Sequence, residues 1–318
     1  MRTRTLCAAL AAAAIGALAA APAAAYPDKP VIFVVPYGPG GPSDLGARVM
    51  QPAFKKATGR DLVIQNKPGA GGATAWAQLN ALPGDGHTTM LTAMPHIILQ
   101  PVVNQPAGYE TEDITIVLVY GYLPEVLAVP KASKFQNVKD LVAAAKASPG
   151  RITIAGTGVG GANHAAQAMF DRAAGTRTAY VPFKDTASGN AALMGAQVDS
   201  AWTWLSQGIT LKDNIRMLAV ASEERVALAP ELPTLKELGF NVTSGAWWAV
   251  AVPRSTPEAL RRQVSQTFAK AVADQEYRAK MSEFGYVTMA LTYPEVGGFV
   301  KKKIDEFRPV AQEIRAKK

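Results

Sequence analysis

The sequence predicts an α/β chain folded as two lobes, and three observations carry that prediction. Hydrophobic residues switch along the chain between the two-residue period of strands and the 3.6-residue period of helices, which implies mostly parallel sheets covered by helices. Two glycine turns, VPYGPGGPSD at 35–44 and AGTGVGGANH at 155–164, each join a strand-like run to a helical one. Two apolar runs ending in Val-Pro, EVLAVP at 125–130 and WAVAVP at 248–253, read as strands that cross between lobes and enclose a block about the length of one small domain.

From the N-terminus, Arg2 and Arg4 precede an uncharged apolar segment, Leu6 to Ala21, and Ala23-Ala24-Ala25 supplies a signal-peptidase site. Residues 1–25 are therefore expected to be a signal peptide that exports the protein. The segment is short for a membrane span of about 20 residues. Cys7, the only cysteine, lies inside it, so the mature chain has no thiol for a disulfide, a nucleophile or a metal. The net charge of +8 includes Arg2 and Arg4, and the remaining cations are scattered. The densest run, Lys301-Lys302-Lys303, falls on the polar side of an amphipathic helix, which argues against a nucleic-acid partner.

The first expected strand, 31–36, is an apolar run that ends at the first glycine turn, and Ser43 with Asp44 caps the helix at 43–58 that follows. Strands come next at 62–65, 88–92, 114–119 and 126–129, with a helix at 72–81 between the first two. The alternation continues as helix 137–147, strand 152–155, helix 162–174 with Asn163 in its first turn, strand 178–181, helix 186–194, and strands 197–200 and 216–220. The remainder reads as a helix at 232–238, a strand at 247–252 and helices at 257–273, 275–284 and 293–314. In the last of these Val300, Ile304, Phe307, Ala311 and Ile314 share one face, which makes it a packing element. The crossing strands make 121–221 an inserted second domain, and 26–120 with 222–318 a discontinuous first domain.

Each glycine turn places unpaired backbone NH groups and the positive end of a helix dipole at one spot, an arrangement suited to an anion. Ser43 and Thr157 add hydroxyls and Asn163 an amide. The turns by themselves do not distinguish a phosphate from a carboxylate, and each is also an ordinary strand-to-helix turn with an N-cap. Gly156, Gly158 and Gly161 have the G-x-G-x-x-G spacing of dinucleotide sites, but the strand-like TAYVP that follows ends in no acidic residue to hold a ribose. Neither turn has the Gly-Lys-Ser/Thr of a P-loop. No cofactor is expected. Two opposed anion sites, one per lobe, describe a cleft that grips a diacid at both ends. Catalytic machinery is sparse: His87, His96 and His164 are the only histidines, and neither H-E-x-x-H nor Gly-x-Ser-x-Gly occurs. The alternative from another class is an exported hydrolase or isomerase that pairs His164 with Asp199 as acid and base.

The segments YPDKPVIFVVPYGPGGPSDLGAR, ATGRDLVIQNKPGAGG, GDGHTTMLTAMPHII, AGTGVGGANHAAQAMF, VPFKDTASGNAALMGAQVD and IRMLAVASEERVALAPELPTLKELGF, in this order, resemble the signatures of the Bug family. These are the extracytoplasmic solute-binding receptors of tripartite tricarboxylate transporters. The resemblance implies a type II periplasmic-binding-protein fold, in which two α/β lobes joined by crossing strands close on a ligand. It implies a monomeric periplasmic receptor with no enzymatic activity that passes a carboxylate, a dicarboxylate above all, to membrane permease subunits. A binding protein that presents its ligand to a membrane sensor kinase is a further possibility. Carried onto this sequence, the first wall comprises Tyr37, Gly38, Pro39, Gly40, Gly41 and Ser43, completed by Ala70, Gly71 and Gly72 and by Met94 and His96. The facing wall comprises Thr157, Gly158, Val159, Gly160, Gly161 and Asn163, with Phe183, Asp199 and Trp202. Pro42-Ser43 stands where Gly-Thr is commoner, Phe183-Lys184-Asp185 where Tyr-Lys-Gly is usual, and Trp202 and Trp204 near a customary phenylalanine. If Trp202 or Tyr37 faces the cleft, the ligand is expected to carry an aromatic ring between its acids, as a terephthalate-like diacid does.

Overall fold

The structure, a computed structural model, describes residues 26–317, so the expected signal peptide lies outside the described residues. The run Val31–Val35 forms β1, parallel to β2 (Leu62–Asn66) on one side and β3 (Thr88–Met94) on the other. Its side chains are almost all buried, because both faces of a parallel sheet are covered. Helix α1 (Pro42–Thr58) starts with proline in its first turn, where no amide is needed, and stops at Gly59, whose φ of 69° gives the left-handed cap. Beneath it the ring of Phe268 lies 5.1 Å from Phe54 and 5.6 Å from Phe33.

The two strands expected at 114–119 and 126–129 are one, β4 (Thr115–Pro130). Its first part pairs antiparallel with β9 (Gly245–Val252) and β10 (Val287–Thr292), and its second part with β7 (Ser200–Trp204) and β8 (Ile215–Val220). Gly121 and Pro124 suggest a break between two strands. In the structure Pro124 sits where the strand passes from one sheet to the other, a position at which a missing ladder donor is tolerated. The first sheet runs β2-β1-β3-β9-β4, and the second continues β4-β7-β5-β6, with β5 (Thr153–Thr157) parallel to β6 (Ala179–Phe183) and to β7. The chain returns to the first sheet at Ser244–Gly245. Residues 222–243 therefore stay with the second sheet, where Thr234 bridges Val220 and Ala229 and Leu232 pack on Val126, Leu205 and Val220.

The helices α4 (Val138–Ala147), α5 (Ala162–Ala174), α6 (Thr186–Met194), α8 (Glu258–Val272) and α9 (Gln275–Glu283) lie where the periodicity puts them. The expected helix at 72–81 shrinks to α2 (Ala73–Trp76) between short 3-10 turns. Gly69, Gly71 and Gly72 hold φ of 155°, 64° and 104° there, and a Cβ at Gly72 would lie 2.6 Å from the Trp76 ring. Residues 232–238 form turns with no helix, since Pro230, Pro233 and Gly239 interrupt any helical run. Three elements are present without having been expected: β10, α3 (His96–Val103) and α7 (Leu205–Thr210). In α10 (Val296–Ala316) the anticipated apolar face is real, with Phe307, Ala311 and Ile314 buried and Val300 and Ile304 packed at the margin. That helix lies against both α3 and α5, and Arg172 approaches Glu313 to 3.8 Å.

Candidate functional site

Parallel strands end in turns at their carboxyl edges, and the two glycine turns accordingly open toward a common space. Between them lies a cleft of about 710 Å³. One wall is formed by Pro36, Tyr37 and Gly38 after β1, by 68–74 after β2, and by His96, Gln100 and Asn104 of α3 and its cap. The facing wall is Thr157, Gly158, Val159 and Gly161 after β5, with Lys184 after β6. Of the residues singled out in the sequence, Tyr37, Gly38, Ala70, Gly71, Gly72, His96, Thr157, Gly158, Val159 and Gly161 thus meet in one place.

The first turn serves itself before it serves a ligand. The Gly40 amide donates to Asp44 Oδ2 at 2.9 Å, Arg48 Nε donates to the same oxygen at 2.9 Å, and Asn66 Nδ2 donates to Asp44 Oδ1 at 2.9 Å. Burial works against ionisation here, but the hydrogen bonds from Arg48, Gly40 and Asn66 prevail and hold the Asp44 carboxyl below the usual range. The anion around which this part of the turn folds is Asp44 itself. Pro39 and Gly40 are exposed away from the cleft, Gly41 accepts the first helical bond from Leu45, and Ser43 is buried in the first turn of α1.

The other expected residues depart from the cleft for equally local reasons. Met94 is buried in the core, and the Gly160 carbonyl accepts from Gln100 Nε2 at 3.3 Å. Phe183 packs over Gly189, while its carbonyl accepts the Gly158 amide at 2.8 Å. Asn163 is buried at the start of α5, where its Oδ1 accepts the Thr157 amide at 2.8 Å. Trp202 lies in the core with its ring edge-on to Phe170 at 6.0 Å, so no aromatic platform comes from it. Asp199 accepts from the amide and hydroxyl of Thr153, each at 2.8 Å. Thr153 begins β5 and the glycine turn ends it, roughly 13 Å further along at about 3.3 Å per residue. His164 stacks on Tyr180 with ring centres 4.1 Å apart, beside that turn. The acid–base pair of the enzyme alternative is therefore not assembled.

Two polar atoms in the first wall are buried without a hydrogen-bond partner, Tyr37 Oη and His96 Nδ1. The Tyr37 ring is held by edge contacts with Trp76, Trp248 and His96 at 6.2, 6.1 and 6.3 Å. Burial pushes the tyrosine hydroxyl well above its ordinary pKa and lowers His96 to about 4, so both are neutral at pH 7. Across the cleft Asn104 Nδ2 donates to Val159 O at 3.0 Å, alongside the Gln100 bond to Gly160 O. His96, Gln100 and Asn104 are spaced by four residues, which puts them on one face of a helical turn sequence. Polar residues at that spacing within the apolar HIILQPVVN are the signal that could have found Gln100 and Asn104.

A family model described as the tripartite tricarboxylate transporter family receptor matches residues 46–315. Protein BugT of Bordetella pertussis is 27% identical over 307 residues, covering 94% of this chain and 94% of that protein. The solved periplasmic binding protein BugD is 26% identical with a TM-score of 0.78, covering 91% of this chain and 98% of that one. A Rhodopseudomonas palustris protein solved with adipate is 26% identical with a TM-score of 0.81, again covering 91% and 98%. The chain thus has the mixed α/β periplasmic-binding-protein fold of BugD, which the adipate-bound structure shares, and among the described residues here no helix is long and apolar enough to cross a membrane. By the span of that match, the chain belongs to the family of solute-binding receptors, not enzymes, that serve tripartite tricarboxylate transporters.

Proposed function

We propose that this receptor works in the periplasm, captures a small aliphatic dicarboxylate in the cleft between its two glycine turns, and presents it to the permease subunits of a tripartite transporter. The observation that carries the reading is a cleft whose first wall holds two buried polar atoms without a partner, Tyr37 Oη and His96 Nδ1, and whose second wall supplies Lys184 and the Thr157 turn. A carboxylate accepts from the tyrosine hydroxyl and from a neutral imidazole N–H, and its distal partner meets the cation. The adipate held by the R. palustris relative is a ligand of this class. Trp202 is buried in the core, and Tyr37, which does line the cleft, has its ring taken up by edge contacts with Trp76, Trp248 and His96, so neither offers a platform for an aromatic spacer and an aliphatic one is favoured.

Capture proceeds by closure. The chain passes between the sheets at Leu123–Glu125 and at Ser244–Gly245, and a rotation there would separate the α3 face from the Val159–Gly160 carbonyls. Ligand that touches both walls stabilises the joined arrangement by its extra contacts, and a permease can then tell loaded from empty receptor by shape. Thermal unfolding of residues 26–318 against aliphatic and aromatic mono-, di- and tricarboxylates tests this, because a ligand of the native state raises the midpoint by mass action. A rise with aliphatic diacids is expected. A rise with aromatic diacids alone would overturn the aliphatic assignment, and none with any acid would overturn the carboxylate reading.

A further inference from the structure

Glu125 is completely buried, on β4 where the strand leaves the first sheet for the second. Its backbone amide donates to Ser244 O at 3.3 Å and its carbonyl accepts from Ala221 N at 2.8 Å, so it is joined to the returning segment of the chain. Its side chain reaches further. Oε2 accepts from Ser244 Oγ at 2.7 Å, and Oε1 accepts from Asn163 Nδ2. Asn163 Oδ1 in turn accepts the Thr157 amide, and Thr157 lines the cleft. The asparagine cannot turn over without setting its NH₂ against the Thr157 N–H. A single line of hydrogen bonds thus runs from the crossing, through Glu125 and Asn163, to the edge of the second glycine turn.

Among the described residues no lysine or arginine forms an ion pair with this carboxyl. The titratable groups that face it are Tyr122 of β4, whose hydroxyl donates to Ala221 O and Ser244 O at 2.9 Å each, and Tyr180 of β6, whose hydroxyl donates to Gly158 O at 2.9 Å and whose ring stacks on His164 of α5. Burial raises the Glu125 pKa to about 8 against the opposing hydrogen bonds of Ser244 and Asn163, so the protonated acid predominates at neutral pH. As the acid, Glu125 can donate to Ser244 Oγ, which lies 3.5 Å from the Ala162 carbonyl and can pass a hydrogen bond on to it. As a carboxylate it sets an unpaired negative charge behind the wall that is to receive an anion.

We propose that Glu125 is a positioning residue of the cleft, which through Asn163 fixes the Thr157 edge of the glycine turn and ties that edge to the crossing on which the lobes move. Its effect on affinity rests on the reading of the cleft as a diacid site, whereas its effect on the turn does not. Hydrogen-exchange protection of residues 155–161 in the unliganded protein, measured from pH 7 to 9, therefore tests it first, with titration of adipate alongside. Glu125→Gln reproduces the donor and acceptor pattern of the acid and should keep wild-type protection and affinity at pH 7. Glu125→Leu and the milder Asn163→Ala should each lower protection and adipate affinity roughly tenfold at pH 7, the loss expected when a buried hydrogen-bonding group loses its partner. In the wild type adipate affinity should fall above about pH 8, as Glu125 ionises and sets its charge behind the anion site, while the turn keeps its protection because a carboxylate accepts the Asn163 bond at least as well as the acid; in Glu125→Gln affinity should stay level. Unchanged protection of this turn in Asn163→Ala, or an identical pH profile of affinity in wild type and Glu125→Gln, would overturn the proposal. If the turn behaves as expected while the wild type ignores adipate, the positioning role stands and the adipate-class reading of the cleft is what fails.

Discussion

Tyr37 carries a hydroxyl that is buried, held in place by three aromatic edges and bonded to nothing in the protein. A buried donor without an acceptor costs about 1–3 kcal/mol, a cost that a ligand accepting at this point would remove. Tyr37→Phe should accordingly leave the unliganded protein as stable as before or more stable, by up to about 1 kcal/mol, while diacid affinity falls about tenfold. Calorimetric unfolding and titration of the same sample separate the two effects; a loss of stability with unchanged affinity would make Tyr37 a packing residue only. The glycines beside it were legible as a turn, but the destination of their amides was not. The Gly40 amide goes to Asp44 because Arg48, on the next helical turn, and Asn66, from another strand, orient that carboxylate. No local pattern in VPYGPGGPSD discloses a partner 22 residues away.

Helix α3 shows why some elements escape a sequence reading. HIILQPVV is apolar over most of its circumference, because it is packed against β3 and α10, so it has no narrow apolar stripe for periodicity to detect, and Pro101 argues against a helix. Strand β10 escapes for the opposite reason, since VTMALT lies at the edge, half-exposed, with no alternation. Elements with one wet face, such as α1, α8 and α10, were placed within a few residues. The polar residues of α3 and its cap join the two walls: Gln100 and Asn104 donate to the Gly160 and Val159 carbonyls, and Asn104 also donates to Gln100 Oε1 at 2.7 Å. Removing both amides in Gln100→Ala/Asn104→Ala should weaken the joined state, lowering diacid affinity about tenfold or more, in line with two net hydrogen bonds at about 1 kcal/mol each. Small-angle scattering of the unliganded protein should show a larger radius of gyration than the wild type. An unchanged radius with unchanged affinity would mean that these bonds do not govern closure.

Across the molecule, one strand, β4, belongs to both sheets, and α10 lies against helices of both halves. The opposed glycine turns and the Val-Pro strands announced this two-lobed plan in the sequence, whereas the sharing of a single strand between sheets depends on pairing partners far apart in the chain. The plan matters because a cleft bounded by two bodies can be completed by a ligand long enough to reach both. The most direct measurement is calorimetric titration of the protein with adipate and with hexanoate, acids of equal chain length that differ in the second carboxylate. If the cleft grips both ends, adipate should bind at least tenfold more tightly, since the lost charged hydrogen bonds are worth about 1.5–3 kcal/mol. Equal affinities for the two acids would contradict the two-ended grip.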